Sequence, residues 1–332
     1  MNISVLGAGA WGTAMAIAFA AKNPVLMWGR NQAAMAAMQS ARQNEEYLPG
    51  FDFPDGLQVT ADFSAAIAPM ALPDSLLVIA TSVSGLRPTL EACRPYQPNN
   101  VIWLCKGFEE STQLLPHQVA EEILGDGVAF GALSGPSFAQ EVAKGLPCAL
   151  TVASTSSELS RQVVQALHGN AMRVYSSDDV VGVEVGGAVK NIMAIATGVA
   201  DGLGMGLNAR AALITRGLAE ISRLGVALGG RAETLMGLTG VGDLILTCTG
   251  DLSRNRKVGL ALAQGKSLAV IVQELGHVAE GVRCAQAVRN LARHLGVNMP
   301  ITDAVAGVLF DGISLQDMVG RLLSRDAKQE NH

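Results

Sequence analysis

"VLGAGAWGTA", residues 5–14, is the stretch on which the reading of the fold turns. An apolar run, Asn2 to Leu6, leads into Gly7, Gly9 and Gly12 in the pattern G-x-G-x-x-G, and a helical pattern follows at once. Glycines there allow a tight turn and close backbone approach, while the helix N-terminus favours a pyrophosphate. An ordinary glycine-rich turn has the same spacing. Its place inside a strand–turn–helix predicts dinucleotide binding. A dinucleotide fold of the NAD type usually carries Asp or Glu about 20 residues further on, for the ribose hydroxyls. This chain has no acidic residue before Glu45, and "LMWGRN" (26–31) supplies Arg30 instead. An arginine at that point suits a ribose 2′-phosphate, so NADPH is expected to be accepted. A solvated surface arginine is the alternative.

Working outward, short β-rich runs alternate with helical ones: "NISVL", "PVLMW", "SLLVIA", "VIWLC", "VAFGAL", "CALTVA" and "RVY", separated by helical patterns over 12–22, 31–41, 112–124 and 157–168. Continuous apolar strands separated by helices predict a parallel sheet covered on both faces. Beyond residue 178 the strand signals fade, and helical patterns follow over 181–199, 208–228, 267–275, 281–296 and 314–325. The expected class is therefore α/β: a dinucleotide-binding domain over 1–178, then an all-helical domain over 179–332.

Composition bounds the partners. Of the 332 residues, 49% are hydrophobic and 16% charged, which suits a compact globular chain rather than a disordered one. No stretch gives ~20 apolar residues free of glycine and charge, so no membrane span is expected. Residue 1 opens directly into a strand-like run, from which no secretory leader is expected. The five cysteines, Cys93, Cys105, Cys148, Cys248 and Cys284, are scattered and odd in number, which points to reduced thiols in the cytoplasm. A net charge of −5 argues against nucleic acid. The five histidines (His117, His168, His277, His294, His332) fall into no metal-ligand spacing, so no metal is expected. There is no G-x-S-x-G nucleophile elbow either.

In a parallel sheet the carboxyl ends of the strands share one edge, where ligands bind. Gly7, Arg30, Lys106 and Ser137 would line a crevice there. Ser137 and Gln140 also match a capping box, and Lys106 alone could be a surface lysine. In the helical half, "TGVGDLILTCTGDLSRNRKVG" (239–259) holds Asp243 and then Ser253, Arg254, Asn255, Arg256 and Lys257. Three cations and two polar groups in five residues suit a phosphate, with a solvated helix start as the alternative. "VGGAVKNIMAIATGVA" (185–200) contains one charged side chain, Lys190. Burying that ammonium requires compensation, by a ligand, by Asp243 or by titration. A snorkelling lysine is the plainer account. Gly186 and Gly187, one turn earlier, are expected to leave room for a substrate or nicotinamide.

Taken together, "GAGAWGTA", "CKGFE", "SGPSFA", "GGAVKN", "GDL", "SRNR" and "EG", in this order across residues 5–281, resemble the bacterial NAD(P)-dependent glycerol-3-phosphate dehydrogenase family. The resemblance implies a Rossmann-type parallel sheet followed by a helical domain like the C-terminal one of 6-phosphogluconate dehydrogenase. It implies reversible hydride transfer between NAD(P)H and dihydroxyacetone phosphate, giving sn-glycerol 3-phosphate for phospholipid synthesis, and a homodimer. Carried over by motif, Gly7, Gly9, Ala10, Trp11, Gly12, Arg30, Lys106, Ala139, Arg254, Val278 and Glu280 would contact NADP or NAD. Lys106, Gly135, Ser137, Lys190, Asp243, Ser253, Arg254 and Asn255 would hold the substrate, with Lys190 as acid/base beside Lys106 and Asp243. Ala10 stands where many members carry serine, which removes a hydroxyl and leaves the backbone amides. The rival readings are a 3-hydroxyacid or 6-phosphogluconate-type dehydrogenase, which needs a carboxylate grip, and a redox sensor that binds NAD(P)H without turnover.

Overall fold

A computed structural model describes residues 1–125, 127–169, 171–275 and 279–324. His277, Val278, His332 and the last residue of the helix expected over 314–325 lie outside the described residues.

Among the described residues, ten strands form in the first part of the chain: β1 (Asn2–Leu6), β2 (Val25–Trp28), β3 (Gln43–Asn44), β4 (Leu48–Asp52), β5 (Leu57–Thr60), β6 (Ser75–Ile79), β7 (Asn100–Trp103), β8 (Ala129–Ser134), β9 (Cys148–Ala153) and β10 (Met172–Ser177). Between them run α1 (Ala10–Ala20), α2 (Gln32–Ala41), α3 (Phe63–Ile67), α4 (Val83–Cys93), α5 (Pro116–Leu124), α6 (Ala139–Ala143) and α7 (Ser157–Leu167). Eight of the strands make one sheet in the order β10-β9-β8-β7-β6-β1-β2-β5, and β3 pairs with β4 apart from it. Its two faces carry separate cores: Ile3, Val5, Met27 and Leu76 on one side, Leu6, Leu77, Val101 and Trp103 on the other. That double burial is why the strands are continuously apolar.

One expectation fails here. The sheet is parallel except between β8 and β9, which pair antiparallel with Leu133 opposite Val152. The reason lies in the link 135–147, whose helix α6 has five residues. At 1.5 Å per residue it covers about 7–8 Å. A six-residue strand is about 20 Å long, so α6 cannot carry the chain back for a parallel return.

From Asp179 onward the described elements are helical. They are α8 (Val180–Gly202), α9 (Gly206–Ala227), α10 (Ala232–Leu235), α11 (Asp243–Thr249), α12 (Arg254–Ala263), α13 (Leu268–Leu275), α14 (Glu280–His294), α15 (Pro300–Phe310) and α16 (Leu315–Leu323), with a π-helical turn over Leu238–Gly242. Asp179 caps α8 by accepting from the Gly182 N–H at 2.8 Å. A helix apolar all round must be covered all round, and every residue of α8 from Gly182 to Ala200 is buried. By length and composition α8 could cross a membrane, but 94% of its most apolar window is packed inside the protein. Its first turn joins the sheet core through Val180 and Val183, and the rest forms the centre of the helical core.

Candidate active site

The glycine loop does three different things. Gly7 adopts φ +126°, and a Cβ there would lie 2.7 Å from the Ala80 carbonyl oxygen. A Cβ on Gly12 would stand 2.0 Å from the Gly7 oxygen, so this glycine lets α1 close on the turn. Gly9, the N-cap of α1, has nothing within 4 Å of where its Cβ would be. No side chain caps this helix start, so its first N–H groups are left for an anion. A dinucleotide pyrophosphate fits that open cradle. Ala10 and Trp11 follow on α1, both half-buried, and α6, beginning at Ala139, packs against α1. Arg30 is exposed just after β2. It is followed by Asn31, which caps α2 by accepting from the Ala34 N–H.

Beyond the carboxyl ends of β7 and β8, a charged knot forms. Asp243, the first residue of α11 and 1% exposed, is bracketed by two lysines. Lys106, three residues beyond β7, donates to its Oδ2 at 2.6 Å and to the Gly135 carbonyl at 3.3 Å. Lys190, from the middle of α8 and 7% exposed, donates to its Oδ1. Thr247 Oγ closes the turn by donating to the Asp243 carbonyl at 2.6 Å. Burial would raise the Asp243 carboxyl, but the two ammonium groups win and hold it below the usual carboxylate range. Burial drives Lys190 down, Asp243 opposes and Lys106 adds to the fall, which leaves it at about 8. Two ammoniums on one carboxylate leave a net positive charge in a dry place, which attracts an anion and stabilises developing charge on oxygen.

Ser137 donates to the Gly135 carbonyl at 3.1 Å. The capping box with Gln140 does not form, since α6 has Phe138 at its N-cap and no side-chain cap. On the helical side, Ser253 caps α12 by accepting from the Arg256 N–H at 3.2 Å. Asn255 accepts from the Gly281 N–H at 2.9 Å and donates to Asn191 at 3.0 Å, and Asn191 in turn donates to Glu280 at 3.3 Å. This chain ties the start of α12, the start of α14 and the residue after Lys190 into one junction. Arg254 is exposed at the first position of α12.

Two expectations are corrected. Gly186 and Gly187 do not leave room for a ligand: a Cβ on Gly186 would lie 2.5 Å from the Thr239 carbonyl oxygen, and one on Gly187 would touch Ser134 Oγ and the Lys106 stem. They let α8 pack tightly against its neighbours. The three-cation cluster also shrinks, because Arg256 is held by Asp201 at 2.9 Å and by Asp251 at 2.9 Å. Lysine 106, Lys190, Asp243 and Gly135 are joined directly, and Asn255 and Glu280 are joined through Asn191. Arg30 belongs to the glycine-loop side, and Val278 lies outside the described residues. Sequence reasoning missed Asn191 and Ser134. Asn191 carries the same signal as Lys190, a polar side chain in an apolar run. Ser134 Oγ is buried without a hydrogen-bond partner; it opens the "SGPSFA" motif, which assigns it no role.

Comparison with known proteins finds matches over nearly the whole length of the chain. Residues 2–160 match the family model for the NAD-dependent glycerol-3-phosphate dehydrogenase N-terminus, and residues 179–320 match that for its C-terminus. The glycerol-3-phosphate dehydrogenase [NAD(P)+] of Janthinobacterium sp. (strain Marseille) is 68% identical over 330 residues, 99% of each chain. That of Herminiimonas arsenicoxydans is 65% identical over the same span and shares. The crystal structure of glycerol-3-phosphate dehydrogenase from Coxiella burnetii superposes with a TM-score of 0.92 at 40% identity, covering 98% of this chain and 99% of that one.

Proposed function

The chain belongs to the NAD-dependent glycerol-3-phosphate dehydrogenase family, an NAD(P)-dependent oxidoreductase that interconverts dihydroxyacetone phosphate and sn-glycerol 3-phosphate, and we propose that Lys190 is its acid/base. The observation that carries this reading is the pair of lysines on one buried carboxylate. When bound, the nicotinamide cofactor supplies the hydride that the ketone carbon accepts. Lys190, protonated, delivers its proton from Nζ to the ketone oxygen and is recharged from solvent. In the other direction, neutral Lys190 takes the hydroxyl proton. Asp243 aims both ammoniums, and Lys106 keeps positive charge beside the reacting oxygen throughout.

The phosphate is held by Arg254, Asn255 and the α12 N-terminus at Ser253, with Gly135 and Ser137 on the opposite wall. Gly7, Gly9, Ala10 and Gly12 cradle the pyrophosphate. Trp11, Ala139, Val278 and Glu280 flank the dinucleotide, with Lys106 and Arg254 reaching it as well, and Arg30 meets a 2′-phosphate. The product serves phospholipid synthesis in the cytoplasm, a setting in keeping with five unpaired thiols. The assembly in this reading is a homodimer, as the resemblance implies.

The test mixes purified protein with dihydroxyacetone phosphate and follows loss of NADPH absorbance, then of NADH. Rapid consumption by the wild type and a rate about 10²–10⁴-fold lower in Lys190→Ala is the expected result. Turnover near wild type in Lys190→Ala would remove the assignment. Arg254→Ala should raise KM for the phosphorylated substrate, and an unchanged KM would place the phosphate elsewhere.

A further inference from the structure

A second buried carboxylate lies on α8 that the chemistry above does not use. Glu184 is 5% exposed. Its Oε1 accepts from the indole N–H of Trp103 at 2.9 Å and from the backbone N–H of His117 at 3.1 Å, and its Oε2 meets His117 Nδ1 at 2.6 Å. Trp103 ends β7 and is fully buried. His117 is in the first turn of α5, whose N-cap residue Leu115 offers no side-chain oxygen, so Glu184 satisfies an N–H that the helix start leaves open.

We propose that Glu184 is a positioning residue, which fixes the register of α8 against β7 through Trp103 and the start of α5 and thereby brings Lys190 and Lys106 together on Asp243. The spacing carries the argument. Glu184 and Lys190 are six residues apart on a helix, about 9 Å along its axis. Trp103 and Lys106 are three residues apart, a reach of at most about 10 Å. α8 and the chain through Trp103 and Lys106 are thus joined at two points, one by the Glu184 carboxylate and one by the Asp243 carboxylate of α11. Because six residues turn a helix through about 600°, the two contacts leave α8 on different sides and fix its rotation as well as its height. A slide of one residue breaks both. A buried carboxylate is costly where packing alone is needed, but it specifies one register in a way that apolar contacts do not. The protonation of the clasp agrees. Burial disfavours the His117 imidazolium, yet Glu184, helped by Glu121 one turn along α5, raises its pKa, while burial pushes the Glu184 carboxyl up and His117 pulls it back.

This inference rests on Lys190 as the acid/base, so the experiment separates the two. Wild type, Lys190→Ala, Glu184→Leu and Glu184→Gln are compared by kcat and KM across the pH range around 8 and by thermal melting. We expect Lys190→Ala to lose turnover at every pH. Glu184→Leu should bind NADPH with an unchanged KM but lose roughly tenfold or more in kcat, since a displacement of ~1 Å can cost about 10²-fold. Its pH midpoint should move from the wild-type position. Glu184→Gln, which keeps an acceptor for Trp103 and the His117 N–H, should recover most of kcat. If Lys190→Ala is dead while Glu184→Leu keeps the wild-type kcat and midpoint, whatever its melting temperature, Glu184 merely packs and the proposal fails alone. If Lys190→Ala turns over near the wild-type rate, the acid/base reading falls and takes the proposal with it. Should Glu184→Leu fail to fold, Trp103→Phe removes the indole donor and keeps an aromatic ring, its smaller volume lowering the melting temperature without by itself moving the pH midpoint. A lowered kcat with a moved midpoint supports the register role, and wild-type values overturn it.

Discussion

A lysine held at about 8 beside an aspartate works in both directions of a dehydrogenase. Ketone reduction needs the ammonium, which dominates below that value. We therefore expect kcat for reduction to fall as pH rises through about 8, and kcat for glycerol 3-phosphate oxidation to rise through the same point. Measuring kcat against pH in both directions checks this, and two curves bending at unrelated pH values would count against it. The proton transfer itself is worth about 10²–10⁴-fold, which sets the size of the Lys190→Ala loss. Arg30 makes a separate prediction. Its guanidinium is exposed just after β2, and a charge-assisted bond to a 2′-phosphate contributes about 1.5–3 kcal/mol. Arg30→Ala should thus raise KM for NADPH by roughly 10–100-fold while barely moving KM for NADH. Equal rises would remove the role. At this scale the lone charge in 185–200 was legible because an ammonium in an apolar helix needs a partner. Ser134 was not, because a missing hydrogen bond exists only in three dimensions.

Helices set where these side chains meet. α8 and α12 cross in close contact, since a Cβ on Gly198 would lie 2.1 Å from the Arg256 carbonyl oxygen and one on Gly259 would lie 2.1 Å from that of Ile195. Backbone cannot give way as a flexible side chain can, so Gly259→Ala forces the helices apart. We expect a loss of about 1–3 kcal/mol or more, read as a lower denaturation midpoint. A raised KM for dihydroxyacetone phosphate should accompany it, because the start of α12 moves with the helix. An unchanged KM would mean that α12 does not position the phosphate. Most elements on either side of this crossing could be read from apolar periodicity. The direction of β9 could not, since "CALTVA" reads alike in either sense and the length of α6 decides. α4 also escaped, with Pro88 inside it interrupting the helical pattern. The roles of Gly186 and Gly187 escape the sequence for a related reason: a missing side chain leaves space that either a ligand or neighbouring protein atoms can fill, and here the Thr239 backbone fills it at Gly186 and the Ser134 and Lys106 side chains at Gly187.

Across the whole molecule the sheet and the helical part meet on a single buried rod. The outer helices pack on α8, the sheet core reaches it through Val180 and Val183, and the lysine that handles the proton sits midway along it. Local opening is cheapest where few buried contacts must be broken, and dearest at the centre of a core. α8 amides should accordingly be among the last to exchange with solvent deuterium. The working group is mounted on the part of the protein that lets go last, so no partly melted yet well-folded-looking species can be inactive through loss of Lys190. Residual activity and the calorimetric transition should decline along one curve on heating, and an inactivation step well below the main transition would have to start in the glycine loop or the rim of the cleft.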